Sequence, residues 1–159
     1  MLRALDHPYA YAQLVADRLK KGIMVVSVDQ NGKPNVMAAS WGFFGYQWSR
    51  PVYIVPVQPP RYTHGLIAQS GEFVISVQPE SMDDDMLFSG ACSGRDVDKF
   101  QARGLTPVAM PIPGFKTPGI SGALLHLACR VIHTAGAKPL SPHTFFFGEI
   151  VGAYADALP

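Results

Sequence analysis

Residues 23–40, IMVVSVDQNGKPNVMAAS, decide the fold. An apolar, largely β-branched run (IMVVSVD, 23–29) meets Gln30-Asn31-Gly32-Lys33 and resumes as PNVMAAS (34–40). Such runs suit a pleated, buried strand, and an Asn-Gly pair between two of them predicts a tight hairpin. Outward on the N-terminal side, YAYAQLVADRLKK (9–21) sets Leu14, Val15 and Leu19 in one stripe at helical spacing. Arg18, Lys20 and Lys21 close that helix and Gly22 stops it, since cations favour the last turn and glycine the position beyond.

On the C-terminal side, VYIVPV (52–57) predicts a third strand. Pro56 has no N–H to donate, so it needs an edge position or a bulge. Residues 63–69 predict a short helix, EFVISV (72–77) a strand, and Ser81 with Asp83, Asp84 and Asp85 the acid-rich opening of another helix. That Asp run reads as nothing more. Four prolines, Pro107, Pro111, Pro113 and Pro118, make 105–119 an extended loop. Two long strands, 122–135 and 143–153, close the chain. Strands outnumber helices, which predicts a mainly β (α+β) fold, a small antiparallel barrel with flanking helices.

The 159 residues amount to a single domain, 1–159. Thirteen Lys and Arg against twelve Asp and Glu leave a net charge of +1, no footprint for nucleic acid or an anionic membrane surface. No run approaches the length of a membrane span. Charged residues are 16% of the chain, below the roughly 25% usual for soluble domains. Apolar surface left over in this way predicts a subunit interface or a cofactor site, most simply a homodimer. Cys92 and Cys129 stand apart, without metal-ligand spacing, and no signal peptide opens the chain, so a cytoplasmic protein is expected.

Several stretches could carry chemistry, each with a plainer alternative. Asn35 to Gly42, with Ala38, Ala39, Ser40 and Trp41, has small residues that let a ligand approach the backbone, or that simply pack. The aromatics Phe43, Phe44, Tyr46 and Trp48 behind it suit core or interface as well as a cofactor box. Arg61 and Thr63 precede a predicted helix whose free N–H groups suit a phosphate; Thr63 as an N-cap and Arg61 on the surface would also account for them. Ser93, Arg95 and Lys99 offer a hydroxyl and two cations, the cations on one face if the segment is helical. Asp96 and Asp98 could instead neutralise them in a surface turn. In HTFFFGEIV, period two places His143, Phe145, Phe147 and Glu149 on one face, and a lone histidine beside aromatics is as readily a hydrogen-bonded structural residue as a catalyst. His126 and His133, seven apart on one strand, face opposite ways. The chain has no P-loop, no G-x-G-x-x-G after a strand and no nucleophile elbow.

In this order, NVMAASW (35–41), PPRYTH (59–64), SGRDVDKF (93–100) and HTFFFGEI (143–150) resemble the flavin reductase-like family, and within it the flavoredoxin branch. The resemblance spans residues 23 to 153 and implies an FMN-binding split β-barrel. It implies that Asn35, Ala38, Ala39, Ser40 and Trp41 lie against the isoalloxazine ring. Arg61, Thr63, Ser93 and Lys99 would surround the phosphate and ribityl chain, with Gly94 and Arg95 of the same turn among the cofactor-binding residues. His143 would stand near the flavin in a catalytic role. Pro142 replaces the Asp that often precedes that histidine, and the chain ends soon after its last strand, which implies a pocket more open or finished by a second subunit. The activity implied is hydride transfer between NADH or NADPH and flavin. The alternative is an electron carrier that exchanges with a redox-protein partner.

Overall fold

The structure, a computed structural model, describes residues 1–155. In chain order the strands are β1 (Arg3–Ala4), β2 (Ile23–Val28), β3 (Pro34–Ala39), β4 (Phe43–Gln47), β5 (Arg50–Val57), β6 (Glu72–Val77), β7 (Pro107–Val108), β8 (Gly119–Ile120), β9 (Leu125–Ala137) and β10 (Ser141–Ala155). The α-helices are α1 (Ala12–Lys21), α2 (Tyr62–Ser70), α3 (Asp83–Ala91) and α4 (Lys99–Arg103). The main sheet runs β3-β2-β6-β9-β10-β5-β4, every pair antiparallel, with β1 added to β10. Side chains of β2, β5, β6, β9 and β10 meet in one core with Val15 and Ile67. The sheet must therefore curl on itself, yet its end strands β3 and β4 are not paired, and the barrel stays split along that seam.

The expected α1 stripe is in place: Val15 is in the barrel core, and Leu14 and Leu19 pack against it. The second face of the sheet is covered by α3, α4 and the proline-rich strap, through Met86, Phe100, Met110 and Ile120. That strap, expected as a plain loop, carries the short β7–β8 pair. It is fastened by the buried Glu72 carboxylate, which accepts from Lys116 N, Thr117 N and Thr117 Oγ1.

The β2–β3 hairpin forms, but its loop is longer than a tight two-residue turn. Gly32 N–H closes a turn on Asp29 O, and Gly32, not Asn31, takes the positive φ of 80°. The Asp29 carboxylate accepts from Asn31 N and Lys33 N and so fixes the loop. A second hairpin occupies the stretch in which the sequence shows only an aromatic cluster. There β4 turns into β5 through Trp48 and Ser49, both at positive φ, a geometry usually marked by Asn and Gly. Pro56 pairs with Phe145 on one side, while β4 ends at Phe43 opposite Ile54, so Pro56 occupies the edge its missing N–H requires.

Period two fails along β9. The β9–β10 register shifts between Val131 and His133, leaving Ile132 as a bulge. One extra residue reverses parity, so His126 and His133 lie on the same side of the strand, contrary to the expectation of opposite faces. They remain far apart: His126 is buried against Ser76 Oγ, whereas His133 packs on Trp48 and Phe147. The Asp run also does more than open α3, because Asp83 pairs with Arg18 of α1 and Asp85 with Arg103 of α4.

Gly148 lies between β5 and β9, where a Cβ would stand 2.5 Å from Phe73 Cζ and 2.7 Å from Cys129 Cβ. Both neighbours are fully buried on strands. Gly148→Ala is expected to destabilise the fold by roughly 1–3 kcal/mol through overpacking, read as a lower urea midpoint at unchanged m-value.

Candidate functional site

Lys99 opens α4 from inside the protein. Asp98 caps that helix by accepting from Gln101 N at 3.0 Å and also pairs with Lys33 at 3.0 Å. The Gln101 hydrogen bond and Lys33 hold the Asp98 carboxyl below the usual carboxylate range. Lys99 itself is only 5% exposed. Its Nζ donates to Val36 O at 2.9 Å and to Ser89 O at 2.6 Å, and among the described residues it forms no salt bridge. Burial pushes its pKa below the ordinary lysine value; Cys92 pulls it up and Arg61 down, both less strongly. A buried ammonium held by carbonyls alone has two of its three donors placed and lacks a counter-anion.

Lys99 lies on the wall of a cleft of about 460 Å³ that runs beside the open edge of β3. At one end stand Arg61, Thr63, Ser93, Gly94 and Lys99, together with the first turn of α2. His64 N–H folds back on Arg61 O, but the N–H groups of Tyr62 and Thr63 precede any intrahelical acceptor and favour an anion. Arg61, not Thr63, is the N-cap, and no side chain caps the helix, so Thr63 does not serve as the cap weighed from sequence. Along the cleft lie Met37, Ala38, Ala39 and Ser40, and at the far end Trp41, Pro56, Gln58 and His143. Because Val36 O is turned outward to Lys99, alternation along β3 turns the backbone groups of Ala38 outward as well.

Ten of the residues singled out from sequence therefore meet in one cavity: Ala38, Ala39, Ser40, Trp41, Arg61, Thr63, Ser93, Gly94, Lys99 and His143. Asn35 and Arg95 are not on its wall. The buried Asn35 amide instead donates to Thr63 Oγ1 at 3.1 Å and sits tightly against Gly94. It thereby binds β3 to α2 and to the 93–94 turn. Arg95 donates to Pro60 O at 3.0 Å and lies over the Tyr62 ring. Residues 93–97 form a turn and α4 begins only at Lys99, so Arg95 and Lys99 do not share a helical face.

His143 follows the expected alternation. Its ring lies tilted against Trp41 with centroids 5.3 Å apart, while Phe145 meets Phe43, Phe147 meets Trp48, and Glu149 pairs with Arg50, all outside the barrel. Its Nδ1 is bonded to Ser141 Oγ, which holds the ring in the position where a carboxylate one residue earlier was not available. Gln58, Tyr62, Ser89 and Cys92 also line the cleft, and the sequence reading gives none of them a role there. Gln58 had one usable signal, its place at the end of β5 just before Pro59-Pro60; Ser89 contributes its backbone to Lys99 and had none.

The open antiparallel barrel has the split-barrel fold, shared with a protein of Shewanella frigidimarina described as having a split barrel domain (24% identity, TM-score 0.74, 85% of this chain and 66% of that one). The chain belongs to the flavin reductase-like family, whose domain model matches residues 16–158. It is similar to a structure described as an FMN-binding domain of a flavin reductases-like enzyme from Shewanella baltica, at 27% identity and TM-score 0.80 over 98% of this chain and 78% of that one. It is also similar to a flavoredoxin of Desulfovibrio vulgaris, at 28% identity and TM-score 0.74 over 85% and 69%. By sequence, an uncharacterized protein of Archaeoglobus fulgidus is 34% identical over 75% of this chain, and the chain spans 64% of that relative's length. The uncharacterized protein YddH of Escherichia coli is 30% identical over 85% of this chain and 70% of its own.

Proposed function

We propose that this chain binds FMN in the cleft and acts as an oxidoreductase reduced by NADH or NADPH. The observation that carries the proposal is the buried Lys99 ammonium, which has no anionic partner among the described residues and lies on the same cleft wall as Arg61, Ser93 and the α2 N-terminus. A phosphate supplies the missing charge. The outward backbone of Ala38 and the small side chains beside it suit the hydrogen-bonding edge of a flat heteroaromatic ring, and Trp41 and His143 bound that end. The similar proteins described as FMN-binding support the same reading.

Bound FMN would supply hydride and electron transfer. The chain's own share is to seat the phosphate, align the ring against β3 and leave the far end open to a donor. His143, fixed through Nδ1 by Ser141, would present its other nitrogen there. The chain is taken as a homodimer, supported by an exposed aromatic face that includes Tyr46 and Trp48, 67% and 50% exposed. The flavoredoxin neighbours favour a second reading, an FMN electron carrier served by a redox-protein partner.

Purified protein mixed with FMN and freed of excess is expected to keep the flavin absorption bands, and NADH or NADPH added without oxygen to bleach them. Bands that persist with both nucleotides but bleach with a reduced redox protein select the carrier. Failure to retain FMN at all removes the cofactor reading.

A further inference from the structure

The strand ladder does not hold His143. On β10, Ser141 pairs with Ala137 and Thr144 with Gly136, so the two residues between them have no counterpart on β9. Pairing with β5 also begins only at Thr144, opposite Val57. Among the described residues Pro142 and His143 therefore form an unpaired bulge, a device that often aims a side chain beside a ligand. Two side-chain hydrogen bonds close it. On one side Ser141 Oγ engages His143 Nδ1 and accepts from His143 N at 3.3 Å. On the other, Thr144 Oγ1 is bonded to His64 Nε2 at 2.9 Å, and the His64 ring stands edge-on to the buried Phe146 ring, with centroids 5.1 Å apart. His64 belongs to the first turn of α2, next to Thr63, which accepts from Asn35 of β3. One helical turn thus grips both the open edge strand and the start of β10.

We infer that His64 is a positioning residue: through Thr144 it holds the Pro142–His143 bulge and so keeps the His143 ring at the cleft, in step with the start of α2. His64 is not on the cleft wall, whereas Arg61, Tyr62, Thr63 and His143 are, so it acts through its neighbours. Burial pushes its pKa below the ordinary histidine value. The ring is therefore neutral near neutral pH, and replacing it removes a hydrogen bond without removing a charge. The Trp41 ring, 5.3 Å from that of His143, reports whether His143 stays in place. The inference rests on the proposed function only in giving His143 a place beside a bound flavin; the bulge and its two bonds do not depend on it.

The test uses the full chain. His64→Leu and Thr144→Val each keep apolar bulk and remove one partner of the bond, and His64→Gln puts an amide where the ring nitrogen stood. In the ligand-free protein, the proton NMR cross-peak between the His143 and Trp41 rings is expected to be lost in the Leu and Val variants and kept in the Gln variant. With FMN bound, the same two variants are expected to be bleached by NADH or NADPH about tenfold more slowly at saturation, with FMN affinity within about twofold of the parent. The double variant is expected to lose no more than either single one. A cross-peak that persists in both His64→Leu and Thr144→Val overturns the inference, as do additive losses or a His64→Gln variant that behaves like His64→Leu. If the parent protein retains no FMN, or retains FMN that neither nucleotide bleaches, the flavin or hydride reading falls, and the ligand-free cross-peak still decides the role of His64.

Discussion

Lys99→Met is expected to weaken FMN binding by roughly 10- to 100-fold while changing riboflavin affinity by less than about threefold, since hydrogen bonds to charged groups contribute about 1.5–3 kcal/mol. Methionine keeps the length and apolar stem of the side chain and removes the ammonium that Val36 O and Ser89 O hold at the cleft wall. Riboflavin has the same ring and ribityl chain without the phosphate, so parallel fluorescence-quenching titrations isolate the charge. Equal losses for both ligands would remove Lys99 from the phosphate site.

The pH dependence carries a second signature of the same residue. Burial, aided by Arg61, depresses the folded-state pKa of Lys99. The cation is therefore lost as pH rises through a value below the ordinary lysine range, and the preference for FMN over riboflavin should shrink there, before an exposed lysine would titrate. For the ligand-free protein the sign is opposite. Its charged form is penalised by folding, so this group's contribution to stability improves as pH rises through the folded pKa toward the unfolded one. Lys99→Met should abolish both trends.

Asp83→Ala is expected to cost roughly 1.5–3 kcal/mol of stability, the range for a hydrogen bond to a charged group, because Arg18 is buried although Asp83 is only partly so. Arg18 is buried, and its Nε and Nη1 have no hydrogen-bond partner among the described residues. Its Nη2 donates to Asp83, and the remaining acid, Glu80, is 4.0 Å away and largely exposed. Alanine would strand the guanidinium between α1 and the start of α3 and release Gln78, which also reaches Asp83. Combining it with Arg18→Met should recover most of the loss, and a urea double-mutant cycle measures the coupling. Additive losses would show that the pair is not coupled. The hydrogen bond from Arg18 holds the Asp83 carboxyl below its usual range, with Gln78 and Lys21 contributing. The stabilisation is accordingly present above the ordinary carboxylate pKa and lost as pH falls through the lowered folded value.

Local pattern was enough for most of the barrel. The β-branched runs at β2 and β6, the helical stripe Leu14, Val15 and Leu19, and the alternation along HTFFFGEIV each bury what their periods predicted. Where these readings went astray, a single residue had changed the local geometry. Ile132 bulged from β9 and turned His133 to the side of His126. Trp48 and Ser49 made a hairpin turn without the residues that usually announce one.

The site divides in the same way. The sequence by itself supplied the chemical inventory: cations and hydroxyls at Arg61, Thr63, Ser93 and Lys99, small residues after the first hairpin, and a histidine beside aromatics, because residue type and short-range spacing are local properties. Which of these meet was decided by the tertiary structure alone. The split between β3 and β4 leaves the β3 edge unpaired, and the packing of α2, α3 and α4 beside it brings positions 38 to 41, 61 to 63, 89, 90, 92 to 94, 99 and 143 to one cleft. The same packing removes Asn35 and Arg95 from the wall by giving the first to Thr63 and the second to Pro60 and Tyr62. Burial of Lys99 without an acid beside it likewise depends on what surrounds a side chain in space, and contacts between residues far apart in the chain leave no trace in the spacing of any one segment.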